Sequence, residues 1–269
     1  MLDLIRYRGL VWELAMRDVK LRYRNLFLGF LWMLIIPFST ALVYKVLFSD
    51  FFRMSSGKVP FFIHLITAIL PWTYFASSVQ ASSRCMLDSK NLINQISFPR
   101  YLLPVATVCA NLINFLPTLV VLLGFLVVFK ISISNLIIFL PVVILVQTIL
   151  IIGLSLLFSG LQVIYRDIEY IIQIFLMVLF FLTPGVYTLE ELISKTSPGF
   201  VKLYMLNPLA GITNLYRVIF IKGYADYFTA QIGLFNTLIN PILWGLVFLF
   251  FGYSVFKKCE KKFADYINL

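Results

Sequence analysis

Long unbroken apolar runs alternate with short basic stretches along this chain. Six runs stand out, at residues 28–48, 61–83, 103–129, 136–164, 168–187 and 234–256. A bilayer core about 30 Å thick is crossed by about 20 apolar residues wound as a helix, so each run is long enough to span. The runs are continuous, whereas a membrane barrel strand alternates apolar and polar positions over about ten residues. Helices are therefore expected throughout. Pro37, Pro71, Pro117, Pro141 and Pro184 fall inside the runs or near their ends. Membrane helices accept proline where neighbouring groups bond the freed carbonyl.

The stretches between the runs carry the polar pattern. Residues 4–25 read LIRYRGLVWELAMRDVKLRYRN. Wound at about 100° per residue, Leu4, Tyr7, Val11, Leu14 and Ala15 share one side. Arg6, Arg17, Lys20 and Arg24 gather on another with Glu13, and Glu13 and Arg17 have the favourable i,i+4 order. This predicts an amphipathic helix lying in the membrane plane before the first run. Its polar face either rests at the lipid surface or meets a partner.

After the second run the chain reads SSRCMLDSKNLINQISFPRYLLPVATV, residues 82–108. Asp88 and Ser89 offer cap chemistry for a short helix over residues 90–96. Pro99 disfavours a helical Phe98 and is expected to end that helix. Pro104 falls in the first turn of the third span, where its missing N–H costs least. The longest connection, residues 188–233, predicts two short helices, over 189–194 with Thr188 as cap and over 209–220.

Charge sets the orientation. Six spans place both termini on one side of the membrane. That side carries fourteen Lys and Arg, from Arg6 through Arg84, Lys90, Arg100 and Arg166 to Lys262; the other carries seven, Arg217 among them. Lys45 lies near the outer end of the first span and is expected to snorkel. The excess predicts cytoplasmic termini. No short apolar core near Met1 suggests a secretory signal.

Composition narrows the function. The chain is 61% hydrophobic and 13% charged, with net charge +10. Its mean hydropathy is +0.95. A basic balance with such runs points to an anionic membrane face and away from nucleic acid. Cys85, Cys109 and Cys259 lack paired spacing, so neither a disulfide frame nor a metal site is expected. His64 is the only histidine and reads as an interfacial side chain beside an apolar run. The spans contain Lys45 but no acid, which speaks against a proton-coupled carrier. Asp88, Asp167 and Glu169 do not form the set that a membrane enzyme needs.

Four stretches carry a family resemblance. NLINQISFPRYLLP (91–104) resembles the first cytoplasmic loop of type-2 ABC export permeases for polysaccharides, which include O-antigen, capsule and teichoic-acid exporters. RDVKLRYRNLFLGFLWMLIIP (17–37), YRDIEYIIQIFLMVLFFLTPGVY (165–187) and LNPLAGITNLYR (206–217) are similar to the family's approach to span one, its fourth-to-fifth connection and the segment before its last span. The resemblance covers nearly the whole chain, in order.

It implies an all-α integral membrane fold: six transmembrane helices, an N-terminal interface helix, cytoplasmic coupling helices and short re-entrant outer helices before the last span. The chain, residues 1–269, would be one permease domain. Its parts would be an interface helix (1–27), spans one to five (28–187), an outer gate loop (188–233), span six (234–256) and a cytoplasmic tail (257–269). Family members act as dimers beside separate ATPase subunits in the bacterial inner membrane. This chain carries no G-x-x-x-x-G-K-[ST] loop: Gly57-Lys58 is followed by Val59, and Phe52 stands where the first glycine should be. No cofactor is expected on it; ATP and Mg would bind the partner.

By the resemblance, coupling to that ATPase would fall to Arg17, Asp18, Asn91, Leu92, Ile93, Phe98, Pro99, Arg100, Tyr165, Arg166 and Asp167. The outer gate would include Pro184, Tyr187, Asn207 and Pro208. The chain has 27 Phe, 14 Tyr and 4 Trp, and sugars pack their C–H faces on aromatic rings. Trp32, Tyr44, Trp72, Tyr74 and Phe75 are the candidates for a glycan path. The expected activity is export of a lipid-linked polysaccharide, O-antigen first. A small-molecule permease of the same type remains the alternative.

Overall fold

A computed structural model describes residues 6–24, 29–56, 59–224 and 235–263. Expectations that rest on Leu4, on Gly57-Lys58, on residues 225–234 or on residues 264–269 lie outside these. Eleven α-helices are described, in order α1 (Arg8–Tyr23), α2 (Trp32–Tyr44), α3 (Phe61–Asp88), α4 (Lys90–Gln95), α5 (Leu102–Val128), α6 (Leu140–Ile164), α7 (Ile168–Phe181), α8 (Leu189–Lys195), α9 (Pro198–Tyr204), α10 (Pro208–Phe220) and α11 (Asn240–Glu260). Among the described residues there is no strand.

Among the described residues, five helical stretches are long and apolar enough to cross a membrane: Trp32–Phe51, Phe61–Asp88, Leu102–Val128, Asn135–Ile164 and Thr237–Glu260. The fifth predicted run differs. Its helix, α7, stops at Phe181 after 14 residues, or roughly 21 Å. Thr183-Pro184-Gly185 breaks it, because proline removes a donor and biases the residue before it away from the helix. The first span also differs, since α2 runs on to Phe51 as a π-helix over Lys45–Phe51. Lys45 bonds Asp50 at 2.8 Å, five residues on. The wider π turn brings such a pair together, so the first span does contain an acid.

The central core joins α3, α5, α6, α7 and α10, with Ile66, Leu70, Phe75, Leu122, Ile151, Tyr216 and Phe220 buried in it. The tightest approach is between α6 and α11. The glycine pairs Gly153/Gly160 on α6 and Gly245/Gly252 on α11 all face the other helix: Gly153 meets Gly252, Gly160 meets Phe256 and Gly245 meets Ile149 and Leu150, and a Cβ on Gly153 would stand 2.5 Å from the Leu249 nitrogen. A Cβ on Gly252 would overlap the Gly153 carbonyl oxygen. Both pairs are seven residues apart, two helical turns, so the small residues repeat on one face. Without a hydrophobic drive between membrane helices, such close contact is what holds them.

A second apolar cluster gathers one end of the bundle, called here the basic end. It includes Leu14, Met86, Leu102, Leu103, Leu156 and Phe256, and brings together α1 and the ends of α3, α5, α6 and α11. A third cluster of Tyr204, Met205 and Ala210 forms the far end.

Candidate functional site

At the basic end, α1 is docked on the protein. Val11, Leu14 and Ala15 are buried, as its pattern predicts. Arg17 bonds its neighbour Asp18 at 2.9 Å, not Glu13. The Thr107 hydroxyl donates to Asp18 at 3.4 Å, and Arg22 donates to the Asn111 side-chain oxygen at 2.7 Å. Residues four apart on α1 thus meet residues four apart on α5. The two helices therefore pack against each other in the same sense over this stretch. The face expected to meet lipid instead packs on α5.

The short helix appears where predicted, over Lys90–Gln95, but its ends differ. Ser89 stands at the N-cap without a side-chain cap bond, and Asp88 belongs to α3. The helix stops at Gln95 with Ile96 extended, before Pro99 can act. Pro99 instead opens the turn into α5, its carbonyl accepting from Leu102 at 3.1 Å. Asn91 is exposed; Leu92, Ile93 and Phe98 lean on the apolar cluster of this end. A concavity of about 430 Å³ lies around Ile93, Ile96, Phe98 and Arg100. Arg100 stands 5.9 Å over the Phe263 ring, so it is tied to the chain's own C-terminal segment.

Tyr165, Arg166 and Asp167 form the turn between α6 and α7, and all three are exposed. Gln162 donates to the Arg166 carbonyl at 2.9 Å and holds the turn. Ile164, just before it, packs on the same cluster as Leu92 and Phe98. Arg84 of α3 bridges Glu169 of α7 at 3.1 Å. Short helix and turn therefore share one end of the bundle, both presenting polar groups outward.

The five aromatic candidates do not line one path. Trp32 and Tyr74 border a cleft of about 450 Å³. Tyr44 and Trp72 border another of about 390 Å³, with Thr40, Gln80 and Gln173. Phe75 is buried at 1% exposure and faces a third cavity beside α6. Each step along α3 turns the side chain by about 100°, so neighbours in sequence look in different directions.

At the far end, the predicted gate residues do come together, around the break after α7. Asn207 caps α10 by accepting from the Leu209 N–H at 3.0 Å, and donates to the Leu182 carbonyl at 2.9 Å. One side chain thus closes the end of one helix and the start of another. Pro208 takes the first turn of α10, and Pro184 is buried in the break. Tyr187 donates to the Phe181 carbonyl at 3.0 Å and bonds the Tyr204 hydroxyl at 2.8 Å. Burial raises the pKa of both phenols, so both keep their protons. Asn207→Ala removes a cap and a second bond, each worth about 1 kcal/mol. The variant is expected to lose about 2 kcal/mol of stability, with the Leu209 amide exchanging faster by mass spectrometry; unchanged exchange there would refute the cap.

Two residues of this end take unexpected places. Arg217, counted from sequence among the outer-loop charges, is fully buried. It donates to His64 Nε2 at 3.0 Å, to the His64 carbonyl at 3.4 Å and to the Gly185 carbonyl at 3.2 Å. His64 is 1% exposed, not interfacial. The pair ties α10, α3 and the break after α7 to one another. Nearby, Tyr216 donates to Gln147 at 2.8 Å, and Gln147 to the Pro71 carbonyl at 2.8 Å. No sequence motif announces these contacts; the only signal was a lone histidine and an arginine inside an amphipathic helix. The seven-residue spacing of Gly153 with Gly160 and of Gly245 with Gly252 is the sequence signal of the α6–α11 contact.

Cys85, Cys109 and Cys259 are free thiols. Among the described residues no three metal-ligating side chains converge.

Comparison with known proteins places this geometry. Residues 9–221 match the model of the family described as ABC-2 type transporter. The chain is similar to the O-antigen export system permease protein RfbA of Myxococcus xanthus, 29% identical over 265 residues, covering 98% of each chain. It is also similar to RfbA of Klebsiella pneumoniae, 29% identical over 251 residues, covering 93% of this chain and 91% of that one. With a family match over most of its length and five helices able to cross a membrane, the chain belongs to the ABC-2 type transporters and is a multi-pass membrane transport component.

Proposed function

We propose that this chain is the membrane subunit of an ATP-driven exporter that moves a lipid-linked O-antigen polysaccharide across the bacterial inner membrane. The observation that carries the reading is similarity along almost the full chain to permeases named for O-antigen export. Two copies would work with two copies of a P-loop ATPase, which supplies ATP and Mg. The basic end is then cytoplasmic, with both termini there, as the charge excess supports.

The ATPase would meet α4 and the Tyr165–Asp167 turn. Both are anchored in one apolar cluster, so a push on either moves the ends of several spans together. Arg17 and Asp18 sit behind this surface on α1, and Asp18 bonds α5. Phe98 packs on the same cluster, and Pro99 opens the turn into α5. At the far end, Pro184, Tyr187, Asn207 and Pro208 would hold the outer gate, which α8 to α10 form.

Deletion of the gene is expected to abolish the surface O-antigen ladder, restored by the wild-type chain. Asp167→Lys reverses an exposed charge at the supposed contact, and Arg100→Glu one beside it. The Asp167 variant is expected to cut co-purification of the ATPase at least fivefold at unchanged permease level, and the Arg100 variant less, because Arg100 rests on Phe263. If both variants retain the ATPase and export normally, the contact lies elsewhere.

A further inference from the structure

The cleft between α1, α2, α3 and α5 has chemistry that packing does not explain. It holds about 450 Å³, and among the described residues no Asp or Glu lines it. One wall is polar, with Arg22, Asn111, Asn114 and Thr118; the other is aromatic, with Trp32 and Tyr74. Tyr74 is held rigid by stacking on Phe115, with centroids 4.8 Å apart. Asn114 is 9% exposed, and its side-chain N–H₂ has no hydrogen-bond partner. In a bilayer, a buried donor without a partner is costly, and no bulk water is at hand to satisfy it.

Depth sharpens the point. Asn111, Asn114 and Thr118 lie roughly 14, 18 and 24 Å along α5 from Leu102, at 1.5 Å per residue. The polar wall therefore climbs from the basic end into the hydrocarbon. Arg22, at its lower edge, donates to Asn111 and also lies beside the Tyr23 hydroxyl, and its side chain is exposed to the cleft mouth. A guanidinium fork matches phosphate oxygens in charge and geometry. A cation at a membrane cleft calls for an anion or water. The aromatic wall suits the apolar neighbour of such an anion, a sugar face or the first units of a lipid tail.

We propose that this cleft receives the phosphate-bearing end of the lipid-linked substrate from the cytoplasmic leaflet. Arg22 takes the phosphate oxygens and the Asn114 amide donates above it. Trp32 covers the adjoining apolar group. The assignment rests on the exporter reading but concerns a site that reading does not need: the cleft is a separate concavity from the groove of Tyr44 and Trp72, with Thr73 of α3 bordering both.

The same chemistry could come from an ordinary anionic phospholipid, and the experiment separates the two. The permease–ATPase complex is placed in phosphatidylcholine nanodiscs, and binding of radiolabelled undecaprenyl diphosphate is measured. Arg22→Gln keeps a donor for Asn111 but removes the charge; Asn114→Leu removes the free amide. Each is expected to weaken binding at least tenfold, and the salt dependence of binding should vanish in Arg22→Gln. Arg22→Lys should fall between. Gel filtration of each complex reports whether it is folded, and the exposed Arg22 keeps the test alive if the Asn114 variant is not. Phosphatidylglycerol in tenfold excess should not displace the probe. Equal binding by wild type and Arg22→Gln overturns the proposal, as does displacement by phosphatidylglycerol. An intact O-antigen ladder after gene deletion would sink the exporter reading instead, so the two failures are distinct.

Discussion

Gly252→Leu is expected to abolish accumulation of folded permease. The Cα of Gly252 rests against the carbonyl of Gly153, and even the first side-chain carbon has no room. The obstacle is backbone, so no rotamer change relieves it. The neighbours cannot give either, because Leu249 and Phe248 backbone atoms lie 2.5 Å from a Cβ placed on Gly153. Adding carbons to a packed site costs about 1–3 kcal/mol when side chains can shift. Here α6 and α11 must part along their length, and close contact is the chief attraction between helices in lipid. We expect Gly252→Ala to lower stability by about 3 kcal/mol, and leucine to leave no monodisperse peak in detergent gel filtration. Gly124→Leu is the control, since its Cβ would meet nothing within 4 Å. A normal peak and melting temperature for Gly252→Leu would refute the interlock.

Arg217→Met is expected to be the second most damaging change. Arg217 is fully buried and its bonds to His64 and Gly185 join three segments. Methionine fills similar volume, so the loss isolates the polar bonds. Hydrogen bonds from a charged donor are each worth about 1.5–3 kcal/mol, and the acceptors left behind add a penalty. A net loss of about 2–4 kcal/mol follows, from the lost bonds and the acceptors left without a donor. The melting temperature in detergent measures it. Arg217→Lys should recover only part, because all three contacts are made by one nitrogen, Nη2, whose position is set by the planar guanidinium and is not reproduced by a flexible lysine stem. Loosening should concentrate at residues 181–187, where Gly185 and the Tyr187–Tyr204 pair sit. Hydrogen exchange confined to other segments would show that the pair does not organise this break.

Much of the architecture was legible because lipid imposes a simple rule. A run of some 20 apolar residues has to become a helix there. Hence α3, α5 and α6 fall close to their predicted limits. The short helices α4 and α10 also fall close to their expected ranges, though α4 stops before Pro99 can end it. Local pattern falls short where one chain segment answers to another. The run at 168–187 is continuous in hydropathy, yet α7 ends at Phe181 because Pro184 breaks it and Asn207, twenty-five residues away, caps the loose carbonyl. The N-terminal helix showed its apolar side correctly, but pattern alone does not say whether lipid or protein covers that side.

The sequence by itself determined the membrane class, the helical content, the excess of charge at one end and, by resemblance, the family. These follow from local chemistry, since solvation in lipid acts residue by residue. Only the tertiary structure decided which aromatics share a cleft, why four glycines recur at intervals of seven, and where Arg217 and His64 go. Those depend on the facing of one helix toward another. A helix turns about 100° per residue, so neighbours in sequence part company in space, and a buried arginine is indistinguishable from a loop arginine until its acceptors, 32 and 153 residues away, are brought beside it.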